Sequence, residues 1–326
     1  MSQYIISEGT GSSNRRNTPD AWNTDTVSDD HPQLLTWLSP LDPGLRHWDI
    51  QERRVNDVGG WLLETEEFRR WCRLGTEGEA ESAVLFCYGN PGVGKTFIRY
   101  EDYLLQREES EPVLTPYDDS SLVVDRLCDQ ASGQNATVSC FYLGFAERKE
   151  QSATNVLGSL LKQIVSGMRR VPEEILRAFQ QQKTTIGGRR PQLVDIVKML
   201  QLVTSCLPTF VCLDALDECS RVQRARLLNS LKQVLEKSPG TRIFATGRPH
   251  IQAEIEKRLA GQVTSISVSP NRGDITRFLH VRLGEDEMLD AMDESLEADI
   301  LEKIPENMSE MCVGPTMPRI PSHVIR

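Results

Sequence analysis

The chain has 326 residues, with 37 Lys and Arg against 47 Asp and Glu, so its formal net charge is −10. This length allows one large domain or two ordinary ones, and 39% hydrophobic with 26% charged residues excludes a wholly disordered or fibrous chain. Residues 285–310 hold eleven acids and one lysine, which account for the entire net charge. The remainder is electrically neutral, and this balance argues against a nucleic-acid partner.

Hydrophobic runs and cysteines indicate the cellular compartment. No apolar run reaches the roughly 18–20 residues that a membrane span needs. The start, MSQYIISEGTGSS, lacks the basic flank and apolar stretch of a secretory signal. The eight cysteines form no CxxC or Cys/His cluster, and the five histidines show no metal-ligand spacing. Several cysteines fall inside apolar strand-like runs, so we expect reduced, buried thiols in a cytoplasmic protein.

The chain begins with a polar segment, after which the composition changes. Residues 1–30 are rich in Ser, Asn, Asp and Thr, which predicts a disordered polar tail. All five tryptophans lie by position 71, and the run VGGWLLETEEFRRW has apolar residues at helical spacing. We predict a helical lead-in over residues 31–80.

Short apolar runs alternate with helical patterns through residues 81–270. The predicted strands are 83–88, 137–143, 209–213, 242–246 and 263–268. The predicted helices are 155–168, 172–182, 192–206, 222–236, 251–259 and 275–283. This alternation predicts an α/β fold, a doubly wound parallel sheet of about five strands with helices on both faces. Residues 271–311 are expected to start a helical lid, and the Pro-rich residues 312–326 an irregular tail.

A glycine-rich segment between the first predicted strand and a helix has the pattern of a phosphate-binding loop. It fits G-x-x-x-x-G-K-[ST] and runs Gly89-Asn90-Pro91-Gly92-Val93-Gly94-Lys95-Thr96. Such glycines let backbone N–H groups surround an anion, which the following helix N-terminus also favours. Lys95 would place a charge between the β- and γ-phosphates, and the Thr96 hydroxyl would ligate Mg²⁺. The alternative is a glycine turn with an exposed lysine.

Acidic residues follow another predicted strand. The run FVCLD puts Asp214 at the carboxyl end of that strand, where ligands bind in doubly wound sheets. Asp214 would hold the Mg²⁺ shell through water. Asp217 and Glu218 follow in DALDE, and one of them could polarise the attacking water as general base. An acidic loop after a strand is commonplace, so the phosphate loop upstream is what favours this interpretation.

Two further features of the sequence could contact a nucleotide. Arg248, just past a third strand in TGRP, could touch the γ-phosphate and report its loss, or could be a surface arginine in a Pro turn. The segment NRGD at 271–274 is similar to the N-K-x-D guanine-reading motif with its Lys replaced. Because Asp274 precedes a helical run, we interpret it as a helix N-cap.

Together these motifs resemble the NACHT class of STAND nucleotide-switch proteins, particularly the fungal, nephrocystin-like members with NLR-type architecture. The matching text is WLSPLDPGLRHWDIQERRVNDVGGWLLETEEFRRW, LFCYGNPGVGKTF, NVLGSLLKQI, FVCLDALDEC and IFATGRPH. The resemblance implies a P-loop NTPase that binds ATP or ADP with Mg²⁺, GTP being less favoured, and hydrolyses it slowly. It also implies that the protein forms homo-oligomers or assembles with other NLR-like proteins. By the same analogy, residues 58–61 of the lead-in lie near the nucleotide base.

The departures from that family suggest a second hypothesis. The family usually has Ser or Thr where Gly247 stands, which leaves the polar contact before Arg248 in doubt. Family members continue into a helical lid, a winged-helix module and repeats, whereas this sequence shows no repeat and stops earlier. The alternative is therefore a truncated fragment that binds nucleotide or partner proteins without hydrolysis. A small-molecule kinase is a distant third interpretation, and the lack of an evident acceptor-substrate lid argues against it.

One segment interrupts the expected family text. Removing residues 99–119 joins Phe97-Ile98 directly to SSLVVDRL, which restores a single short amphipathic helix after the phosphate loop. We hypothesise that these 21 residues are encoded by a retained intron. The alternative is a genuine surface insertion. As written, the sequence predicts one helix to about residue 107 and a second from about residue 120.

Overall fold

The structure is a computed structural model that describes residues 27–42, 44–53, 55, 58–73, 82–89, 119–184, 188–269, 272–285 and 294–311. The described residues form a parallel five-stranded sheet with the order β2-β3-β4-β1-β5. Its strands are β1 (Val84–Tyr88), β2 (Thr137–Tyr142), β3 (Thr209–Asp214), β4 (Thr241–Gly247) and β5 (Val263–Ser267). This confirms the predicted α/β class and all five predicted strands, with ends shifted by a residue or two.

Helices precede, connect and follow the strands. They are α1 (Val27–Leu38), α2 (Gly44–Arg53), α3 (Trp61–Glu64), α4 (Glu66–Trp71), α5 (Asp119–Gln134), α6 (Ala153–Gly167), α7 (Glu173–Lys183), α8 (Leu193–Cys206), α9 (Arg221–Lys237), α10 (Gln252–Arg258), α11 (Arg272–Glu285) and α12 (Glu294–Met311). Helices α6 to α11 correspond to the six predicted helices. Helix α5 begins at Asp119, where the sequence predicts a helix to resume after the proposed insertion.

Successive side chains of a strand point to opposite faces of the sheet, and helices cover both faces. Strands β1, β3 and β4 are therefore largely buried, whereas the edge strand β5 is half-buried. On one face, Phe86, Val211 and Ile243 pack with side chains of α1 and of α6 to α10. On the other face, Leu85, Phe210 and their neighbours pack with side chains of α2 to α5. The predicted arrangement of helices on both faces is therefore confirmed.

The lead-in helices contribute to both layers. Helix α1 packs on the face covered by α6, and Trp37 Nε1 donates a hydrogen bond to the Arg189 carbonyl (2.8 Å). Helix α4 lies on the opposite face, where Trp71 packs against Phe210 and Phe244, with ring centres 5.7 and 6.2 Å away. Trp71 Nε1 donates to the Ala83 carbonyl (3.1 Å) at the start of β1. The lead-in is thus part of the core.

A polar contact ties α2 to the sheet as well. His47 Nδ1 lies 2.6 Å from the Tyr142 hydroxyl at the end of β2, and the two rings stack with centres 5.8 Å apart. His47 Nε2 lies 3.3 Å from Asp125 Oδ1 on α5. The imidazole therefore bridges a strand end and a covering helix.

Helix α1 corrects the predicted boundary of the polar tail. The tail was predicted over 1–30, but α1 begins at Val27. In its first turn, Asp30 pairs with Lys183 of α7 (2.6 Å), a tertiary contact that local composition cannot reveal. The rest of that tail, the helix predicted to end near 107 and the irregular tail 312–326 lie outside the described residues.

The helices predicted to begin a lid form a small separate cluster. Ile275, Phe278 and Leu279 of α11 pack with partly buried side chains of α12 and with Val55 and Val58 of the lead-in. Asp274 lies inside the first turn of α11, and its carboxylate accepts a hydrogen bond from the Gly59 N–H (3.2 Å). The N-cap interpretation of Asp274 is therefore wrong: the carboxylate attaches the lead-in instead of capping its own helix.

The cysteines agree in part with the expectation of buried thiols. Of the seven in the described chain, all are free, and Cys87, Cys140, Cys212 and Cys219 are buried. Burial raises the pKa of the Cys140 thiol to about 12, so it stays protonated and unreactive at neutral pH. Cys128 and Cys206 are exposed, contrary to that expectation. Among the described helices, none has the length and apolarity to cross a bilayer.

Replacement of Trp71 by alanine tests whether the lead-in belongs to the core. Trp71 is only 3% exposed, so Trp71→Ala removes a large buried ring and should lower the free energy of unfolding by about 3–5 kcal/mol. Trp48→Ala is the matched control, because Trp48 is 59% exposed on α2 and its loss should cost about 0.5 kcal/mol or less. Urea denaturation measures both; equal losses would contradict this packing.

Candidate functional site at the carboxyl edge of the sheet

Neighbouring strands bring several predicted site residues to one edge of the sheet. Strands β1, β4 and β3 are adjacent and parallel, so their carboxyl ends lie side by side. Gly89 directly follows β1, and its N–H donates to the Gly247 carbonyl (3.3 Å) at the end of β4. Asp214 is the last residue of β3. The first residue of the predicted phosphate loop and the predicted metal ligand therefore share this edge, while residues 90–96 lie outside the described chain.

Asp214 is buried and held by a hydroxyl from the next strand. The Thr246 Oγ1–H donates to Asp214 Oδ1 (2.6 Å), and the same Oγ1 accepts from the Ala215 N–H (2.9 Å). A buried carboxylate needs such hydrogen bonds to remain charged. Sequence reasoning missed Thr246, although it ends a predicted strand, because its role depends on β4 lying beside β3.

The crowded surroundings of Gly247 explain the departure from the family pattern. A Cβ at this position would lie 2.7 Å from Ile251 Cδ1 and 3.3 Å from Phe86 Cε2. A serine or threonine here would therefore force these buried side chains to shift. The hydroxyl at this strand end belongs to Thr246, one residue earlier, and it bonds Asp214 and the Ala215 N–H.

A tight turn after β3 presents the two remaining acids. Ala215 has φ of 54°, a left-handed conformation that a non-glycine residue adopts only at some energetic cost. Its carbonyl accepts from the Glu218 N–H (2.9 Å), which closes the short 3₁₀ turn Leu216–Glu218. This turn holds Asp217 and Glu218 next to the end of β4.

Arg248 joins these two carboxylates. Its backbone N–H donates to Asp217 Oδ1 (3.1 Å), and its Nε lies 2.9 Å from Asp217 Oδ2. Its Nη2 lies 3.0 Å from Glu218 Oε1. Asp217 is the more enclosed acid, with 6% of its side chain exposed against 17% for Glu218. In this structure the Arg248 guanidinium is therefore engaged by the acids of its own site.

A second arginine, which sequence reasoning also missed, reaches Glu218 from the loop after β2. Arg148 Nε donates to the Glu218 carbonyl, and Arg148 Nη2 lies 3.7 Å from Glu218 Oε2. The Leu143 N–H donates to the Asp214 carbonyl (3.1 Å), which brings this loop to the edge. No motif marks Arg148, because the contact joins residues 70 positions apart.

The donor set suits Mg²⁺ held together with a nucleotide. Within the described residues, no group of three or more His, Cys, Asp or Glu side chains could enclose a metal ion. Mg²⁺ sites in nucleotide-binding proteins use one or two carboxylates plus phosphate oxygens and water, not a complete protein cage. Asp214, at the strand end beside the start of the phosphate loop, supplies a hard oxygen donor of that kind.

Comparison with protein families gives one match. The family described as Nephrocystin 3, N-terminal matches residues 57–106 and 120–248, which is more than half of the chain. The matched parts include the phosphate-loop segment and all three strand ends of the site. The interval 107–119 between them falls inside the proposed insertion 99–119. A comparison with curated proteins finds no match.

Solved structures give distant likenesses only. One is the Aeropyrum pernix ORC1 protein in complex with DNA, which is 15% identical in sequence and has a TM-score of 0.36. The aligned part covers 72% of this chain and 56% of the ORC1 chain. Another is Drosophila ORC bound to AT-rich DNA and Cdc6, which is 12% identical and has a TM-score of 0.36. The aligned part covers 85% of this chain and 39% of the ORC chain. This chain thus spans less than two thirds of either protein.

Removal of the Thr246 hydroxyl should destabilise the edge. Thr246→Val preserves side-chain shape but takes a donor from the buried Asp214 and an acceptor from the Ala215 N–H, so we expect a loss of about 1–3 kcal/mol in unfolding free energy. Thr246→Ser keeps the hydroxyl and should lose less. Denaturant titration measures both variants; a loss for Thr246→Val no larger than that for Thr246→Ser would contradict the special role of the hydroxyl.

Proposed function

The chain belongs to the Nephrocystin 3, N-terminal family, and we propose on that premise that it is a nucleotide-binding molecular switch of the NACHT/STAND class. It would bind ATP or ADP with Mg²⁺ and hydrolyse ATP slowly. The observation that carries the proposal is the meeting of Gly89, Asp214 and the Thr246 hydroxyl at one edge of the sheet. This is the edge where a parallel sheet of this kind binds ligands.

The phosphate loop would supply the binding energy for the nucleotide. Backbone N–H groups of residues 89–94 would surround the phosphates, Lys95 would contact the β- and γ-phosphates, and Thr96 would ligate Mg²⁺ with Asp214. When bound, the ion neutralises phosphate charge that would otherwise repel the attacking water. ATP or ADP is favoured over GTP because Asp274, the acid of the guanine-like motif, is bonded to Gly59.

The acids after β3 would divide two tasks between them. Asp217 is enclosed and bonded twice by Arg248, so its role would be to anchor that arginine. Glu218 is the more exposed acid, and its carboxylate is the better candidate for the general base that takes a proton from water. Arg248 could reach the γ-phosphate only after releasing Glu218, which suits a residue that reports the nucleotide state.

A switch of this class would act by changing its partners. By analogy with NLR-type proteins, nucleotide exchange would move the chain between a closed form and an assembled one, as a homo-oligomer or with other NLR-like proteins. Signalling or self/non-self recognition in the cytoplasm would be the setting. The absence of a nucleic-acid partner, inferred from the charge balance, stays a prediction.

The alternative is a fragment that binds nucleotide or partners without hydrolysis. The engagement of Glu218 by two arginines favours it, because such a carboxylate is not available to activate water. The insertion 99–119, directly after the phosphate loop, stays a hypothesis and bears on the same question. Variants of Lys95 and Glu218 separate nucleotide binding from hydrolysis.

Nucleotide binding should depend on Lys95. Lys95→Ala removes charge-assisted hydrogen bonds to phosphate, each worth about 1.5–3 kcal/mol, so affinity for Mg·ATP should fall at least about tenfold. Isothermal titration measures it, with Lys198→Ala, an exposed lysine of α8, as the matched control. Equal affinity of the Lys95 variant and the control for Mg·ATP would contradict the assignment of residues 89–96 as the phosphate-binding loop.

Hydrolysis should depend on Glu218. Glu218→Gln keeps the side-chain shape but removes the base, so phosphate release should fall by about a hundredfold while nucleotide stays bound. Glu236→Gln, at an exposed position of α9, is the control and should match the wild type. If Asp217→Asn alone abolishes release, then Asp217 is the base. Equal release by all of these proteins would favour the non-hydrolysing fragment.

A further inference from the structure

Glu218 is held by two arginines that come from different loops. One carboxylate oxygen, Oε1, lies 3.0 Å from Arg248 Nη2, and the other, Oε2, lies 3.7 Å from Arg148 Nη2. A general base must bring one of its oxygens within hydrogen-bond distance of the water that it activates. With a guanidinium group near each oxygen, a water must compete with two arginines for Glu218, and the withdrawal of one arginine opens an approach to its carboxylate.

The two arginines are anchored to different extents. Arg248 is fixed at its backbone and at Nε by the enclosed Asp217. The Arg148 guanidinium contacts the Glu218 main chain and carboxylate on one side and the face of the Phe145 ring on the other, with its carbon 4.0 Å from the ring centre. Its backbone N–H donates to the Phe145 carbonyl (3.4 Å), but among the described acids its side chain pairs with Glu218 alone. The Phe145 ring is itself 66% exposed. Arg148 is therefore the arginine that can be released.

The loop that carries Arg148 is fixed at its base and open at its tip. Buried Gln151 accepts from the Gly144 N–H (3.0 Å) and donates to Glu147 Oε2 (2.8 Å), which closes the loop. Glu147 also pairs with Arg46 of α2 (3.4 Å). The Phe145 and Arg148 side chains can move at the surface while the Leu143 N–H stays bonded to the Asp214 carbonyl.

We infer that Arg148 is a positioning residue that restrains Glu218 and slows nucleotide hydrolysis. The inference rests on the proposed function, since it assigns a brake to the base of that reaction. Arg148 would hold the Glu218 carboxylate in its resting position, and withdrawal of Arg148 from that carboxylate would free Oε2 for water. The switch would then be limited by a movable surface loop next to the base.

The test compares ATP hydrolysis by the full chain and its variants. Arg148→Ala should raise kcat about two- to fivefold, the range that a partly exposed ion pair allows. Its affinity for Mg·ATP should stay within about twofold of the wild type, since the inference gives Arg148 no contact with phosphate and a surface ion pair contributes little energy. Lys149→Ala, which alters the adjacent exposed residue, is the matched control and should leave kcat unchanged. Arg148→Lys keeps the charge and should lie between the two.

Salt dependence separates the brake from a merely structural role. Because salt screens an exposed ion pair, added salt should raise the kcat of the wild type more than that of Arg148→Ala, which retains only the Arg248 pair. A fall in kcat for Arg148→Ala, or equal kcat and equal salt response in both proteins, overturns the inference. If Glu218→Gln stops hydrolysis and Arg148→Ala fails to raise it, only the brake is wrong. If wild type and Glu218→Gln release phosphate equally, the proposed hydrolysis is wrong too.

Discussion

Burial of the parallel sheet on both faces is the constraint on which the rest of this chain depends. Side chains alternate along every strand, so each face needs a covering layer of helices, and the lead-in supplies part of both layers. Loops that carry polar residues are then left at the two edges. At the carboxyl edge, the adjacency of β1, β4 and β3 places a glycine, a hydroxyl and a carboxylate from distant parts of the sequence side by side.

The charges at this edge bear on the proposed binding of a cation and a phosphate. Among its described residues, Asp214, Asp217 and Glu218 carry three negative charges, whereas Arg148 and Arg248 carry two positive ones. The arginines neutralise the two acids of the turn, and the buried Asp214 is stabilised by the neutral Thr246 hydroxyl. A divalent cation beside Asp214 would balance the remaining charge, and the nucleotide phosphates would complete its shell in the proposed complex.

Much of the fold and part of the site could be predicted from the sequence because the signals are local. Apolar runs gave the five strands, and the end of one such run located Asp214. Thr246 could not be found in this way, because its contact with Asp214 requires the order of strands in the sheet. Arg148 was missed because only the folded chain brings the loop after β2 to Glu218. The start of α1 at Val27 likewise depends on a tertiary contact, between Asp30 and Lys183.

The most direct test of the account is whether Mg·ATP stabilises the protein through Asp214. A ligand that binds only the folded state raises the unfolding temperature by mass action. The account predicts that Mg·ATP raises the midpoint of the wild type, that ATP with a chelator raises it less, and that Asp214→Asn loses the difference. Asparagine retains an oxygen for the Thr246 hydroxyl, so the variant should fold without nucleotide. The same magnesium-dependent rise in both proteins, or no rise in the wild type, would contradict the account.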